Sequence, residues 1–258
     1  MSPPPLISSI LENSNPELTR FTYDQPASYW YLRGFDIINM EPYLDWFNVM
    51  TYDIHGVWDA KVNVIGPYAG AHTNLTEIDQ ALNLLWRNNI NPERVVMGLG
   101  FYGRSFTMKS PDCLDAGCEF TDGAKGGECT GTPGVLSAAE ITKIIKGGGA
   151  TVKLDETAAV KIVTWDSDQW VSWDDKETLL MKMDYAHQRC LGGYVFFFLL
   201  VSFLSAGGKR VLIGNRTMVW AIDLDDGTLI SALGEASGRT KKGTITRNPY
   251  MECFKGDW

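Results

Sequence analysis

Apolar residues in this chain gather into short runs, and a clear helical period lies between two of them. Residues 46–52, WFNVMTY, form a near-continuous apolar run, the pattern of a strand buried on both faces of a parallel sheet. The sequence then opens a helix with Asn74-Leu75-Thr76-Glu77 and repeats Ile78, Leu82, Leu85 and Trp86 at helical spacing, so residues 74–87 are predicted helix. Pro92 follows, and residues 94–100, RVVMGLG, read as a second buried strand. Strand, helix and strand in that order predict a parallel α/β unit. Upstream, FTYDQPAS at 21–28 reads as a degraded strand limited by Pro26, and 29–35 as a short helix. Downstream, 138–145 predicts a short helix and 160–165 with 169–173 a hairpin. Residues 175–189 predict a helix that places Leu179, Met183 and Ala186 on one side.

Composition narrows the function classes. The 258 residues suffice for one large domain or two small ones, and nine Trp, ten Tyr and eleven Phe indicate a substantial core. A net charge of −8 argues against nucleic acid, which needs a basic face, and suits a neutral polysaccharide. Residues 194–204 make an apolar run about half as long as the ~20 residues a membrane span requires, so no membrane partner is expected. The five cysteines are Cys113, Cys118, Cys129, Cys190 and Cys253. The first three share a Gly-rich stretch without C-x2-C pairs or His, which points away from zinc and toward a local disulfide in an oxidising compartment. The pairing stays open, and the odd count leaves a free thiol. Asn74-Leu75-Thr76 is also a glycosylation sequon. The first twenty residues, Pro- and Ser-rich at the start, read as weakly ordered and lack the basic and apolar regions of a signal peptide. A secretion-type cysteine cluster behind such a start is the expectation for a truncated or misassembled gene product.

The chemistry concentrates in residues 44–59, LDWFNVMTYDIHGVWD. A buried strand that ends in a phenol and a carboxylate, followed by a loop with His55, Gly56, Trp58 and Asp59, is how a (β/α)8 barrel presents a site at its C-terminal face. With this segment, FYGRSF at 101–106 and TMVWAIDLDD at 217–226, the chain resembles a glycoside hydrolase of family 18, a chitinase of the fungal type. The resemblance implies an α/β fold, the C-terminal half of a (β/α)8 TIM barrel with a small α+β insertion domain. Residues 21–106 would supply barrel strands five to seven, 107–170 the insertion, 171–193 a barrel helix and 217–234 the last strand with the start of its helix. Residues 1–20 and 235–258 would be a weakly ordered start and a polar tail. Residues 194–216 interrupt a junction that relatives run straight through, from Leu-Gly-Gly into Thr-Met-Val-Trp. Their ends fit intron splice signals, so a translated intron is expected there, with a buried extra strand or helix as the alternative.

Family 18 is an exception among glycosidases in using the substrate's own N-acetyl group as nucleophile. By resemblance, Tyr52 would hydrogen-bond the acetyl carbonyl, Met50 would pack under the acetyl methyl, and Asp53 would bind sugar hydroxyls. Tyr102 and Arg104 would contact the sugar from the other side. Trp220 would stack beneath it, and Trp58 would offer a stacking face at a leaving-group subsite. Taken singly, Met50 and Trp220 read as core residues, Arg104 as an ion-pair partner and His55 as a loop hydrogen-bonding residue. Asp223, Asp225 and Asp226 read as a strand end and turn, since D-L-D-D-G lacks the rest of a calcium loop. No metal or other cofactor is expected, and the oligomeric state is open. The family's acid motif, D-x-x-D-x-D-x-E, is absent from the sequence, so no catalytic residue is assigned. The expected ligand is chitin or a chitooligosaccharide, the expected turnover is negligible, and the location implied by resemblance is extracellular. A non-catalytic chitin-binding protein and a non-functional gene fragment are the competing readings. Half a barrel would also expose two sheet edges and an open apolar side, with the Phe196-Phe197-Phe198-Leu199-Leu200 run as an aggregation-prone segment.

Overall fold

A computed structural model describes residues 22–192 and 218–236. The expectations for 1–20 and 194–216 fall outside these residues, as does the tail expected at 235–258 except for Glu235 and Ala236, which close the last helix instead. The elements begin with β1 (Thr22–Pro26), α1 (Tyr29–Leu32), α2 (Ile37–Met40), β2 (Trp46–Met50), α3 (Leu75–Trp86) and β3 (Val95–Gly100). There follow β4 (Tyr102–Met108), β5 (Phe120–Gly123), β6 (Val135–Ser137), α4 (Ala138–Lys146), β7 (Thr151–Asp155), β8 (Val160–Trp165) and β9 (Gln169–Trp173). The last are α5 (Lys176–Gln188), β10 (Met218–Trp220) and α6 (Thr228–Ala236). Every element expected within the described residues is present, and β4 is one that the sequence reading did not separate out.

Two sheets organise the chain. The first is parallel, in the order β1-β2-β3-β10. Its registers set Pro26 beside Met50, Phe47 beside Val95 and Trp220 beside Gly100. Helix α3 returns the chain from β2 to β3, and the Asn74 side chain caps it by accepting from Thr76 N. The outward face of the sheet, Phe47, Val49, Val95, Met97 and Leu99, packs in one core with Ile78, Leu82 and Leu85 of α3 and with Leu179, Met183 and Ala186 of α5. The opposite face corrects the expectation for residues 46–52. There Trp46, Asn48 and Met50 are only half-buried. Asn48 Nδ2 donates to Asp24 Oδ1 at 2.8 Å, and Trp46 Nε1 donates to Asn48 Oδ1 at 2.9 Å. The polar Asn48 falls on this face because the side-chain period of a strand is two. The run is therefore two-sided, apolar toward the helices and mixed toward the open side.

The second sheet is antiparallel, in the order β5-β4-β9-β8-β7 with β6 paired to β4. It has its own core, where Phe106 stacks on Phe120 at 4.5 Å and meets Trp170 at 5.5 Å. Strand β4 crosses the division expected at 106/107, so FYGRSF runs directly into the second sheet. One residue, Phe101, joins the two sheets. It is completely buried, its N–H donates to Trp220 O at 2.9 Å, and its carbonyl accepts from Ala138 N at 3.1 Å. Cys113 and Cys118 form the local disulfide in the loop before β5, and Cys190 is free and exposed. Helix α5 starts at the N-cap Asp175 and carries one surprise, a buried Lys182 on its apolar side. Its Nζ donates to Ala159 O at 2.7 Å and Thr73 Oγ1 at 3.3 Å, and it contacts the equally buried Asp174.

Candidate active site

The site grows from the C-terminal end of β2. Thr51 is buried, and its Oγ1 donates to Gly98 O at 2.6 Å, which anchors the strand end to β3. Gly98 also makes room for the site. A Cβ there would come within 2.3 Å of Met218 Cε, 2.7 Å of Val49 O and 2.9 Å of Tyr52 Cε1. Asp53 then takes φ +59°, the left-handed region that non-glycine residues enter only when their surroundings hold them there. This turn aims its carboxylate at β4. Oδ1 accepts from Tyr102 OH at 2.5 Å and Arg104 Nε at 2.8 Å, and Oδ2 accepts from Arg104 Nη2 at 2.8 Å. The Arg104 fork is thus bidentate.

The electrostatics follow from that geometry. Burial by itself would raise the Asp53 carboxyl pKa. The Arg104 guanidinium, at hydrogen-bond distance from both carboxylate oxygens, outweighs burial and holds the group well below the usual carboxylate range. His72 Nδ1 lies 3.7 Å from Oδ1, outside hydrogen-bond range. Burial, then the negative charges of Asp53 and Asp24, push the Tyr52 phenol up to about 12. Burial and Asp53 push Tyr102 higher still. Both phenols are therefore hydrogen-bond donors at neutral pH, and Asp53 is an anion that has no proton to give.

The aromatic side of the site is built on the same residues. Arg104 lies 4.8 Å from the ring centroid of Trp58 and 5.4 Å from that of Tyr102, and the rings of Tyr52 and Tyr102 meet edge-on at 6.1 Å. Trp58 packs on Gly56, where a Cβ would fall 2.3 Å from Cη2, and it keeps 36% of its surface exposed. Its loop is pinned by His55, whose Nδ1 meets Asp59 Oδ2 at 2.8 Å and whose Nε2 meets Glu77 Oε1 at 3.0 Å. Burial would lower the His55 pKa, but the two carboxylates prevail and raise it to about 9. His55 is thus a loop hydrogen-bonding residue, as its sequence context indicated.

Five of the expected residues, Tyr52, Asp53, Trp58, Tyr102 and Arg104, form one connected cluster. Met50 and Trp220 stand on the open face of the parallel sheet, at register positions facing β1 and Gly100. Trp220, at the end of β10, is 49% exposed. Asp225 accepts from Leu229 N and Ile230 N, and Asp226 accepts from Thr228 N, so these carboxylates start helix α6. Sequence reasoning missed His72. It is completely buried, 19 residues beyond Asp53, and no local pattern in Ala71-His72-Thr73 marks it.

Parallel strands backed by helices, with a carboxylate and aromatic rings gathered at their C-terminal ends, define the class of barrel-type α/β proteins that carry their site on that face. The profile described as glycosyl hydrolases family 18 matches residues 12–200, and the chain belongs to that family. It is 32% identical over 184 residues to the "Secreted chitinase LysM12" of Penicillium expansum, a stretch covering 66% of this chain and 12% of that protein. Among solved structures, a GH18 chitinase from Cycas revoluta in complex with (GlcNAc)3 superposes with a TM-score of 0.67 at 22% identity, covering 90% of this chain and 60% of that one. The Group IV chitinase of Ostrinia furnacalis gives 0.73 at 22% identity, covering 90% and 61%. The chain therefore spans about an eighth of the curated relative and about three-fifths of the solved chains. The four parallel strands are half the complement of a (β/α)8 barrel, and the antiparallel sheet with α4 is the α+β insertion.

Proposed function

We propose that this polypeptide is the acetamide-binding part of a chitinase cleft. It holds chitin or chitooligosaccharides through Tyr52, Asp53, Trp58, Tyr102, Arg104, Met50 and Trp220, and it does not turn them over by itself. The reaction of the class cleaves a β-1,4-N-acetylglucosamine linkage with retention, the acetamido oxygen attacking the anomeric carbon while a carboxylic acid protonates the departing oxygen. In this reading Tyr52 OH donates to the acetyl carbonyl, and Asp53, Tyr102 and Arg104 take the hydroxyls along one edge of the sugar. Trp220 stacks under the pyranose, whose C–H groups form an apolar face. The location proposed is extracellular, in keeping with the Cys113–Cys118 disulfide.

The observation that carries the reading is the state of the carboxylates. The sequence has no D-x-x-D-x-D-x-E, Asp53 is held ionised by Arg104, and Asp24 is an exposed residue of β1 that accepts a hydrogen bond from Asn48. General acid help is worth roughly 10²–10⁴-fold, so a cleft without it binds but scarcely hydrolyses. Titration calorimetry with chitotetraose should show binding that weakens by about tenfold in Trp220→Ala, one aromatic contact's worth. A fluorogenic chitotriose substrate should give no turnover above background. Hydrolysis at the rate of an intact family member would show that another group donates the proton, and absence of binding would leave the non-functional fragment as the reading.

A further inference from the structure

His72 presents nothing to the cleft, yet it ties together three pieces of the site. Its backbone N–H donates to Ser172 Oγ in β9 at 3.3 Å, and its carbonyl accepts from Ile54 N at 3.1 Å. Its ring packs against the Tyr102 ring, with centroids 4.9 Å apart. Nε2 lies 3.0 Å from Tyr102 O, and Nδ1 lies 3.4 Å from Asp53 N.

These partners fix where the ring proton sits. A carbonyl oxygen only accepts, so Nε2 carries the hydrogen. A backbone N–H only donates, so Nδ1 presents its lone pair. The alternative, an Nδ1–H donated to Asp53 Oδ1, would have to span 3.7 Å, beyond hydrogen-bond range. The Nε2–H tautomer therefore satisfies both neighbours. The residue gripped through Nδ1 is Asp53, whose left-handed backbone costs roughly 1–3 kcal/mol and needs surroundings that hold it. The residue gripped through Nε2 is Tyr102, which donates to the same carboxylate.

We propose that His72 is the positioning residue of the sugar site. Its Nδ1 holds the main chain of Asp53 in the left-handed turn, and its Nε2–H fixes the carbonyl of Tyr102, so the Asp53 carboxylate and the Tyr102 phenol meet a sugar already aligned. The sugar-binding half of this inference rests on the proposed function; the tautomer and the grip on Asp53 belong to the free protein.

Three substitutions separate the two contacts. His72→Asn leaves an acceptor near Nδ1 and removes the donor to Tyr102 O. His72→Gln leaves a donor near Nε2 and removes the acceptor for Asp53 N–H. His72→Leu removes both. Chitotetraose affinity should fall only a few-fold in His72→Asn, which frees the Tyr102 carbonyl but keeps the acceptor for Asp53, and about tenfold or more in His72→Gln and His72→Leu. Thermal melting, run alongside, separates lost stability from lost alignment. A general packing role predicts equal losses for Asn and Gln, and that result would overturn the proposal. ¹⁵N NMR of the unliganded wild-type protein provides a test that needs neither sugar nor variant. It should place the ring proton on Nε2 and show a coupling from the Asp53 amide to His72 Nδ1. A proton on Nδ1 refutes the assignment even if chitotetraose binds. If chitotetraose fails to bind the wild type while the coupling is present, the proposed ligand is wrong and the His72–Asp53 grip stands.

Discussion

Raising the pH should loosen the loop that carries Trp58, and the cause is His55. Its ring lies between the buried Asp59 and Glu77, with 19% of the side chain exposed, and it packs so closely on Gly70 that a Cβ there would come within 2.6 Å. The pKa of the folded state is raised from 6.5 to about 9. A group raised on folding contributes its full stabilisation below the unfolded value and loses it as pH climbs through the folded one. At about 1.4 kcal/mol per unit the rise corresponds to roughly 3 kcal/mol, present at pH 6 and gone by pH 10. Urea unfolding of the wild type and of His55→Gln at pH 6, 7.5, 9 and 10 isolates the effect, because other titrating groups cancel in the difference. The variant should be less stable by about 3 kcal/mol at pH 6, and the gap should close progressively between pH 6.5 and 10. A gap that stays constant with pH would falsify the assignment of His55 as a charged bridge, whatever its size.

Gly98→Ala should cost about 1–3 kcal/mol, since its methyl meets the Val49 carbonyl as well as Tyr52 and Met218. The urea midpoint reports the loss, and chitotetraose affinity should drop with it as Tyr52 is displaced. Lys182→Ala strands the buried Asp174 without a countercharge and should cost about 3–5 kcal/mol, read from the same unfolding curves. Lys182→Ala with Asp174→Ala should recover part of that loss, and a double variant as weak as the sum of the singles would count against the pair.

The parts of the fold visible in the sequence were those coded locally. Asn74 announces its helix because a cap is a contact between residues two apart. The ranges 160–165 and 169–173 were legible as a hairpin because β8 and β9 pair across a three-residue turn. The cluster of Asp53 with Tyr102 and Arg104 joins residues about 50 apart, and only the family resemblance brought it forward. His72 illustrates what stayed hidden. Its importance lies in two ring nitrogens facing partners 19 and 30 residues away, and nothing in its neighbours records that. Lys182 was hidden for the opposite reason, since a lysine within a helical pattern reads as solvent-facing and only the fold supplies the three acceptors that let it be buried. Asn48 was legible, because a polar residue at the strand's period of two marks the face turned away from the helices.

Phe101 has a consequence for how a ligand is received. With a single immobilised residue as the splice, and both of its peptide groups engaged, the strands bearing Gly98 and Arg104 are cast as one piece. Selection among sugars would then be made by a mould of constant shape, with little reorganisation to offset, and the heat-capacity change on binding should match the apolar area covered and nothing more.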